Sequence, residues 1–281
     1  MNAMKKGIMQ KVVQKEKMDG MKDVNKTLYM PLYGKALLSR QGIILKDKKA
    51  EYIWEKEGFE LEDKVKSKWF TYYMGMRSAV FDNWVRDKMA AYPDAMVLHI
   101  GCGMDSRIER IGANNRVWYD VDFPDAIIER RKYYHENEFY HMLFADARKT
   151  EWVKKLPCCE HIIVIMEGVS MYLTQEELTN LLLTIKNYYK RVNLLVDCYT
   201  ELGVKTSKYQ KIMKEIGKLV ITGLKDASFL EKTTGLKFVA ELDLTPAKLI
   251  DELIGFEHLI FRNIMAGNTV KKLFRLYEFE V

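Results

Sequence analysis

Three acidic residues each close a different apolar run in this sequence: Asp122 after residues 117–121, Asp146 after 139–144, and Glu167 after 162–166. A further run, 96–100, ends on the turn Gly101-Cys102-Gly103-Met104-Asp105-Ser106-Arg107. Two glycines permit a tight turn and close approach of backbone to a ligand. A bound pyrophosphate would call for a third glycine and a free helix N-terminus. Ser106 stands at that third position, and the Asp105 carboxylate would repel a phosphate. It would tolerate, and could orient, the ammonium of an amino-acid tail, which favours S-adenosylmethionine over NAD. Asp122 lies about twenty residues past the glycines, where a carboxylate can accept hydrogen bonds from both ribose hydroxyls. Asp146 suits an adenine amino group.

Such residues are useful only if the fold brings them together. Short apolar runs bounded by turn residues predict buried parallel strands at 96–100, 117–121, 139–144, 162–166 and 192–196, the last ending at Asp197. Helical patterns separate them. Pro124 opens one helix, expected to run to about His135, and Thr174 with Glu177 forms a capping box that opens another. Alternating strands and helices imply a parallel sheet with right-handed crossovers. Ligands then bind outside the carboxyl ends of the strands, which is where the glycines and the three carboxylates fall. Residues 238–242 and 273–281 read as late strands, Pro246 as a helix start, and 201–224 as an inserted lid segment. Upstream, Val65, Trp69, Tyr73, Met76, Val80 and Trp84 recur at helical spacing from Lys64 to Met89. Residues 1–95 therefore read as a helical cap on a domain spanning 96–281, the whole forming a single unit.

Composition narrows the classes. The chain has 281 residues, 48% hydrophobic and 12% aromatic, enough for a substantial core. The net charge of +6 is uneven, because residues 1–50 hold twelve Lys and Arg against four Asp and Glu. This arm reads as a solvated helical extension, its lysines scattered and not interleaved with stacking aromatics. No stretch approaches the length of a membrane span, and the first residues lack the apolar core of a signal peptide. The four cysteines, Cys102, Cys158, Cys159 and Cys198, make no metal-ligand spacing. No metal is expected, and a cytoplasmic location is.

The glycine turn with its strand, residues 97–107, resembles the first motif of the leucine carboxyl methyltransferase family, which includes the tetracenomycin-type polyketide O-methyltransferases. Trp118-Tyr119-Asp120-Val121-Asp122-Phe123-Pro124 resembles the second motif, and Ala145-Asp146-Ala147-Arg148 the third. Met166-Glu167-Gly168-Val169-Ser170-Met171-Tyr172-Leu173-Thr174 resembles the fourth and most distinctive. The resemblance covers about residues 70–200. It implies a class I S-adenosylmethionine-dependent methyltransferase: Rossmann-like, with a seven-stranded, mostly parallel sheet and a helical N-terminal cap. It further implies that Arg77 pairs with the cofactor carboxylate and that Gly101, Cys102, Gly103, Asp105, Asp122 and Phe123 line the cofactor site. Asp146 and Ala147 would border the adenine, and Glu167 and Gly168 the methionine part.

Methyl transfer from a sulfonium is mainly a matter of alignment. An ionised carboxylate acceptor needs no base, whereas a hydroxyl usually does. None of the five histidines falls inside these motifs, which favours a carboxylate. Glu167, Tyr172 and Arg107 are the candidates for direct participation, and Tyr72, Tyr73 and Tyr172 for shielding the sulfonium. The expected acceptor is a small, polyketide-like molecule. Two rivals are an NAD-dependent Rossmann oxidoreductase and a non-catalytic module binding nucleic acid through the basic arm. Asp105 and the missing glycine argue against the first, and the strand-end carboxylates against the second.

Overall fold

A computed structural model describes residues 23–57, 67–206, 221–267 and 271–281. The first 22 residues of the basic arm, the expected helix start at Lys64 and most of the 201–224 segment lie outside the described residues.

Three helices lead: α1 (Asp23–Gln41), α2 (Lys48–Glu57) and α3 (Lys68–Ala91). Strands and helices then alternate: β1 (Met96–Ile100), α4 (Arg107–Ile111), β2 (Trp118–Asp122), α5 (Pro124–Arg130), β3 (Tyr140–Phe144), β4 (His161–Met166), α6 (Gln175–Tyr188) and β5 (Arg191–Thr200). The chain continues through α7 (Glu201–Thr206), β6 (Gly223–Leu224), α8 (Ala227–Thr234), β7 (Lys237–Glu241), α9 (Ala247–Ile250), α10 (Gly255–Ile260) and β8 (Phe274–Glu280).

The sheet runs β3-β2-β1-β4-β5-β8-β7, with the two-residue β6 alongside β5. The path therefore has the seven strands expected, and β6 makes an eighth. Strands β1 to β5 are parallel. Strand β8 is antiparallel to both β5 and β7. Chain order reverses between β1 and β4, so the crevice of this α/β sheet opens beyond the carboxyl end of β1, at the glycine turn.

Side-chain parity explains why the sheet is covered on both faces. Val97, Ile163, Ile165 and Leu195 point to one side, into a core shared with Tyr29, Leu32 and Ala36 of α1, Ile53 of α2, and Phe81 and Val85 of α3. Leu98, Ile100, Ile162, Val164, Met166, Leu194 and Val196 point to the other, where α6 packs through Leu178, Leu181, Leu182 and Ile185. The Thr174–Glu177 capping box forms as predicted, each side chain accepting from the other's backbone N–H. Among the described residues, no helix is long and apolar enough to cross a membrane.

Three local expectations change. The helix at Pro124 ends at Arg130, because the Arg130 side chain is drawn inward and Tyr133 and Tyr134 turn into the core. Strand β5 does not end at Asp197 but runs on to Thr200, held by its pairing with β8. The described part of the N-terminal arm is not a solvated extension: α1 buries Tyr29, Leu32, Ala36 and Leu38, and Lys35 is only 3% exposed.

Candidate active site

Helix α3 brings Arg77, Ser78 and Asp82 to the sheet on one face, all buried. The Arg77 guanidinium bridges two strand segments. Its Nε donates to Glu167 Oε1 at 3.1 Å, and its Nη1 donates to Asp197 Oδ2 at 2.9 Å. Ser78 Oγ also donates to Glu167 Oε1, at 2.8 Å. The other Glu167 oxygen accepts from Arg107 Nη2. Burial alone would raise the Glu167 carboxyl, but Arg107 and Arg77 overcome it and hold the group down at about 2. Glu167 is therefore a fixed anion.

Asp197 is the opposite case. Burial is the largest influence on it, the nearby Glu167 charge adds to it, and Arg77 only partly offsets them, so its carboxyl rises to about 6. Its Oδ1 accepts from the Gly168 N–H at 2.8 Å. Gly168 has φ +72°, and an added Cβ would lie 3.4 Å from Arg77 Nη2. The bare backbone lets the guanidinium lie against the turn.

The glycine turn follows β1. Gly101 has φ +68°, and a Cβ there would fall 2.1 Å from Val169 Cγ2, so only glycine fits between the two turns. The Gly103 N–H donates to Asp122 Oδ2 at 2.7 Å, and Phe123 N–H donates to Asp122 Oδ1 at 2.7 Å. Burial raises the Asp122 carboxyl despite those two bonds. Cys102 is buried in the core, its N–H bonded to Val121 O at 3.3 Å.

Beyond β3, Asp146 is gripped by Arg148 through Nε at 2.8 Å and Nη2 at 2.7 Å. Arg148 in turn lies 5.5 Å from the centre of the half-exposed Phe123 ring. Asp122, Phe123, Asp146 and Ala147 thus lie at or just beyond the carboxyl ends of β2 and β3, and Glu167 and Gly168 just beyond that of β4, with Arg77 against them.

Two candidates sit differently from their sequence reading. Asp105 does not offer a free carboxylate to the crevice. Lys35 lies 2.9 Å from its Oδ2, Arg107 lies 3.4 Å from the same oxygen, and Arg110 lies 2.7 Å from Oδ1. Burial opposes its ionisation, but these cations hold its carboxyl well below the usual range. Arg107 is fully buried, spanning Asp82 at 2.7 Å and Glu167. It reaches the crevice only through Glu167.

The tyrosines separate as well. Tyr72 donates its hydroxyl to Glu257 on α10 and packs edge-on against Phe261 at 6.2 Å. Tyr172, following Gly168, is pushed up to about 12 by burial, in the field of Tyr199, Arg77 and Asp197. Tyr73 packs edge-on against Phe274 at 6.3 Å, and Phe274 also meets Tyr199 at 4.8 Å and the Arg77 guanidinium at 6.0 Å. Tyr73 and Phe274 are one wall of a cavity of about 190 Å³. Residues 241–245, Met265 and Lys271 line the rest, with Glu241, Asp243 and Lys271 its charged members. Strand β7 runs in the same direction as β5, so residues 242–245 leave the sheet on the edge where the glycine turn lies.

Sequence reasoning missed Asp197 and Asp82 as site residues. Asp197 had a signal, an acidic residue in the fifth apolar run. Asp82 on a helix had none.

The sequence matches the profile of the leucine carboxyl methyltransferase family over residues 14–186, more than half of the chain. The chain belongs to the leucine carboxyl methyltransferase family. Family membership and fold make it an S-adenosylmethionine-dependent methyltransferase. It is 28% identical over 218 residues to the tetracenomycin polyketide synthesis O-methyltransferase of Streptomyces glaucescens, covering 76% of this chain and 81% of that one. It is 30% identical over 137 residues to an S-adenosyl-L-methionine-dependent methyltransferase of Gibberella zeae, covering 46% of each chain. A putative methyltransferase from Thermobifida fusca has the same fold, with a TM-score of 0.55 at 11% identity, covering 88% of this chain and 93% of that one. The glycine turn, the strand-end carboxylates and Arg77 of this methyltransferase all lie within the matched region.

Proposed function

We propose that this methyltransferase transfers the methyl group of S-adenosylmethionine to an oxygen of a small, polyketide-like acceptor, with a carboxylate favoured over a hydroxyl. The observation that carries this reading is the Arg77–Glu167 pair, facing the glycine turn across the switch point of the sheet. The residues suit the cofactor. Gly101 and Gly168 hold positive φ where Val169 and Arg77 take the space of a Cβ, so the two turns can close against each other and against the guanidinium. The edge of Arg77 against Gly168 would receive the methionine carboxylate, and the fixed anion Glu167 would face the ammonium. Asp122 would accept from the ribose hydroxyls, and Phe123, Asp146 and Ala147 would border the adenine. Gly103 and Cys102 would contribute backbone along the turn, and Asp105 would act by holding that turn in shape.

S-adenosylmethionine supplies an electrophilic methyl group on a sulfonium. The protein's task is to hold an acceptor oxygen in line with it. Tyr172, with Tyr73, would flank the positive sulfur through ring faces. Arg107 acts through Glu167. The cavity behind Tyr73 and Phe274 is the place for the acceptor. A fixed Glu167 near 2 cannot serve as a base at neutral pH, and His99 is held between Arg107 and Asp120. This supports a nucleophile that is already ionised. A hydroxyl acceptor has one observation in its favour, the raised Asp197 carboxyl, although both its oxygens are engaged. The described cysteines are all free, which suits the cytoplasm.

Thermal unfolding with S-adenosylhomocysteine and with NAD tests the assignment. At one hundred times its dissociation constant a ligand of the folded state adds about 2.7 kcal/mol. Stabilisation by S-adenosylhomocysteine and none by NAD is the expected result, and the reverse would remove the cofactor assignment. Turnover of carboxylic acids against phenols then separates the acceptors.

A further inference from the structure

Seven buried charged side chains alternate in sign in one unbroken chain. Asp47 meets Arg110 at 2.7 Å, Arg110 meets Asp82 at 2.6 Å, and Asp82 meets Arg107 at 2.7 Å. Arg107 meets Glu167, Glu167 meets Arg77 at 3.1 Å, and Arg77 meets Asp197 at 2.9 Å. All seven side chains are at most 6% exposed. The chain starts at the N-terminus of α2, where Asp47 also accepts from the Ala50 N–H at 2.8 Å, and ends inside β5. It passes through α4, α3 and the turn after β4 on the way. A side branch, Lys35 of α1 on Asp105, ties the first helix to the same arginines.

We infer that Asp47 and Asp82 are positioning residues for the cofactor site, setting Glu167 and Arg77 through Arg110 and Arg107 without reaching the crevice. The inference rests on the cofactor reading given above. Its physical basis is that each inner charge is fixed by an opposite charge on either side, in surroundings too dry for water to substitute. Asp82 makes the step clearest. It accepts from Arg107 Nε on Oδ1, and from Arg110 on both oxygens. Without that carboxylate, Arg107 keeps Asp105 and Glu167 as partners and would be drawn toward them. Glu167 would move with it, and so would Arg77. Four carboxylates face three guanidiniums in the chain, so it carries one net negative charge beside the place proposed for a cationic cofactor.

The test is calorimetric titration of S-adenosylhomocysteine into the full chain, with thermal unfolding run in parallel. Asp82→Asn is expected to weaken binding by ~10-fold, and Asp82→Glu to recover most of it. Asp47→Asn, at the far end, is expected to weaken binding by ~3-fold, both values within the range known for coupling through packed networks. In a double-mutant cycle with Arg77→Lys, the Asp47→Asn effect should shrink, because Arg77→Lys already loosens the chain at its cofactor end. If Asp82→Asn fails to fold, Asp82→Glu and Asp47→Asn carry the test. Variants that lower the melting temperature yet bind within twofold of the parent would overturn the inference and leave a purely structural network. Retention of binding by Arg77→Ala would instead overturn the cofactor reading itself, so the two failures are distinguishable.

Discussion

Arg77 neutralises two buried carboxylates at once, so its removal acts on binding and on stability together. Arg77→Ala should lose measurable S-adenosylhomocysteine affinity by titration. Denaturant unfolding should also record a loss of about 3–5 kcal/mol, the usual consequence of stranding a buried charge. The two carboxylates should leave opposite marks on the pH dependence of stability. Glu167, lowered from 4.5 to about 2, contributes stability above its ordinary value that is lost as pH falls through that window. Asp197, raised from 3.8 to about 6, contributes stability at low pH that is lost as pH rises between those values. Asp197→Asn should therefore flatten the fall in stability between pH 4 and 6, read by urea unfolding at stepped pH. An unchanged slope would mean that another group titrates there. The sequence pointed to Glu167 through the fourth motif and to Arg77 only through what the family resemblance implies. It did not disclose that Asp105 is satisfied by Lys35, Arg107 and Arg110, since Lys35 is seventy positions away and its pairing exists only after α1 docks.

The strands were legible because parallel strands buried on both faces are short, nearly continuous apolar runs with sharp ends. β1 and β4 bury every residue from Met96 to Ile100 and from Ile162 to Met166. The end of β5 was not legible, since Asp197, Tyr199 and Thr200 look like a turn until β8 pairs with them. The first helix was also misjudged. Its lysines suggested a solvated face, whereas its buried residues belong to the main core. Deleting residues 1–50 should therefore abolish cooperative unfolding, which a calorimetric scan would reveal. The turns carry their own prediction. Gly101→Ala places a methyl group against Val169 in a left-handed backbone, and should lower the melting temperature and weaken S-adenosylhomocysteine binding together.

Across the whole molecule, two layers of helices hold a sheet whose switch point lies at the glycine turn, while its antiparallel end borders the cavity proposed for the acceptor. On the proposed reading, donor and acceptor would occupy different parts of one edge. Filling the cavity of about 190 Å³ by Met265→Trp should reduce acceptor kcat/KM while leaving S-adenosylhomocysteine affinity within twofold. A tenfold fall would correspond to about 1.4 kcal/mol of transition-state stabilisation. Unaltered turnover would place the acceptor elsewhere. The alternating charges between α2 and β5 also bear on how this sequence can drift over generations. A change at any inner position leaves each of two neighbours short of one partner, so single replacements there meet a barrier that paired changes avoid. Among descendants of a common ancestor, Asp47, Arg77, Asp82, Arg107, Arg110, Glu167 and Asp197 should be inherited or lost as a block, while the cavity wall at Leu242, Leu244 and Met265 varies residue by residue.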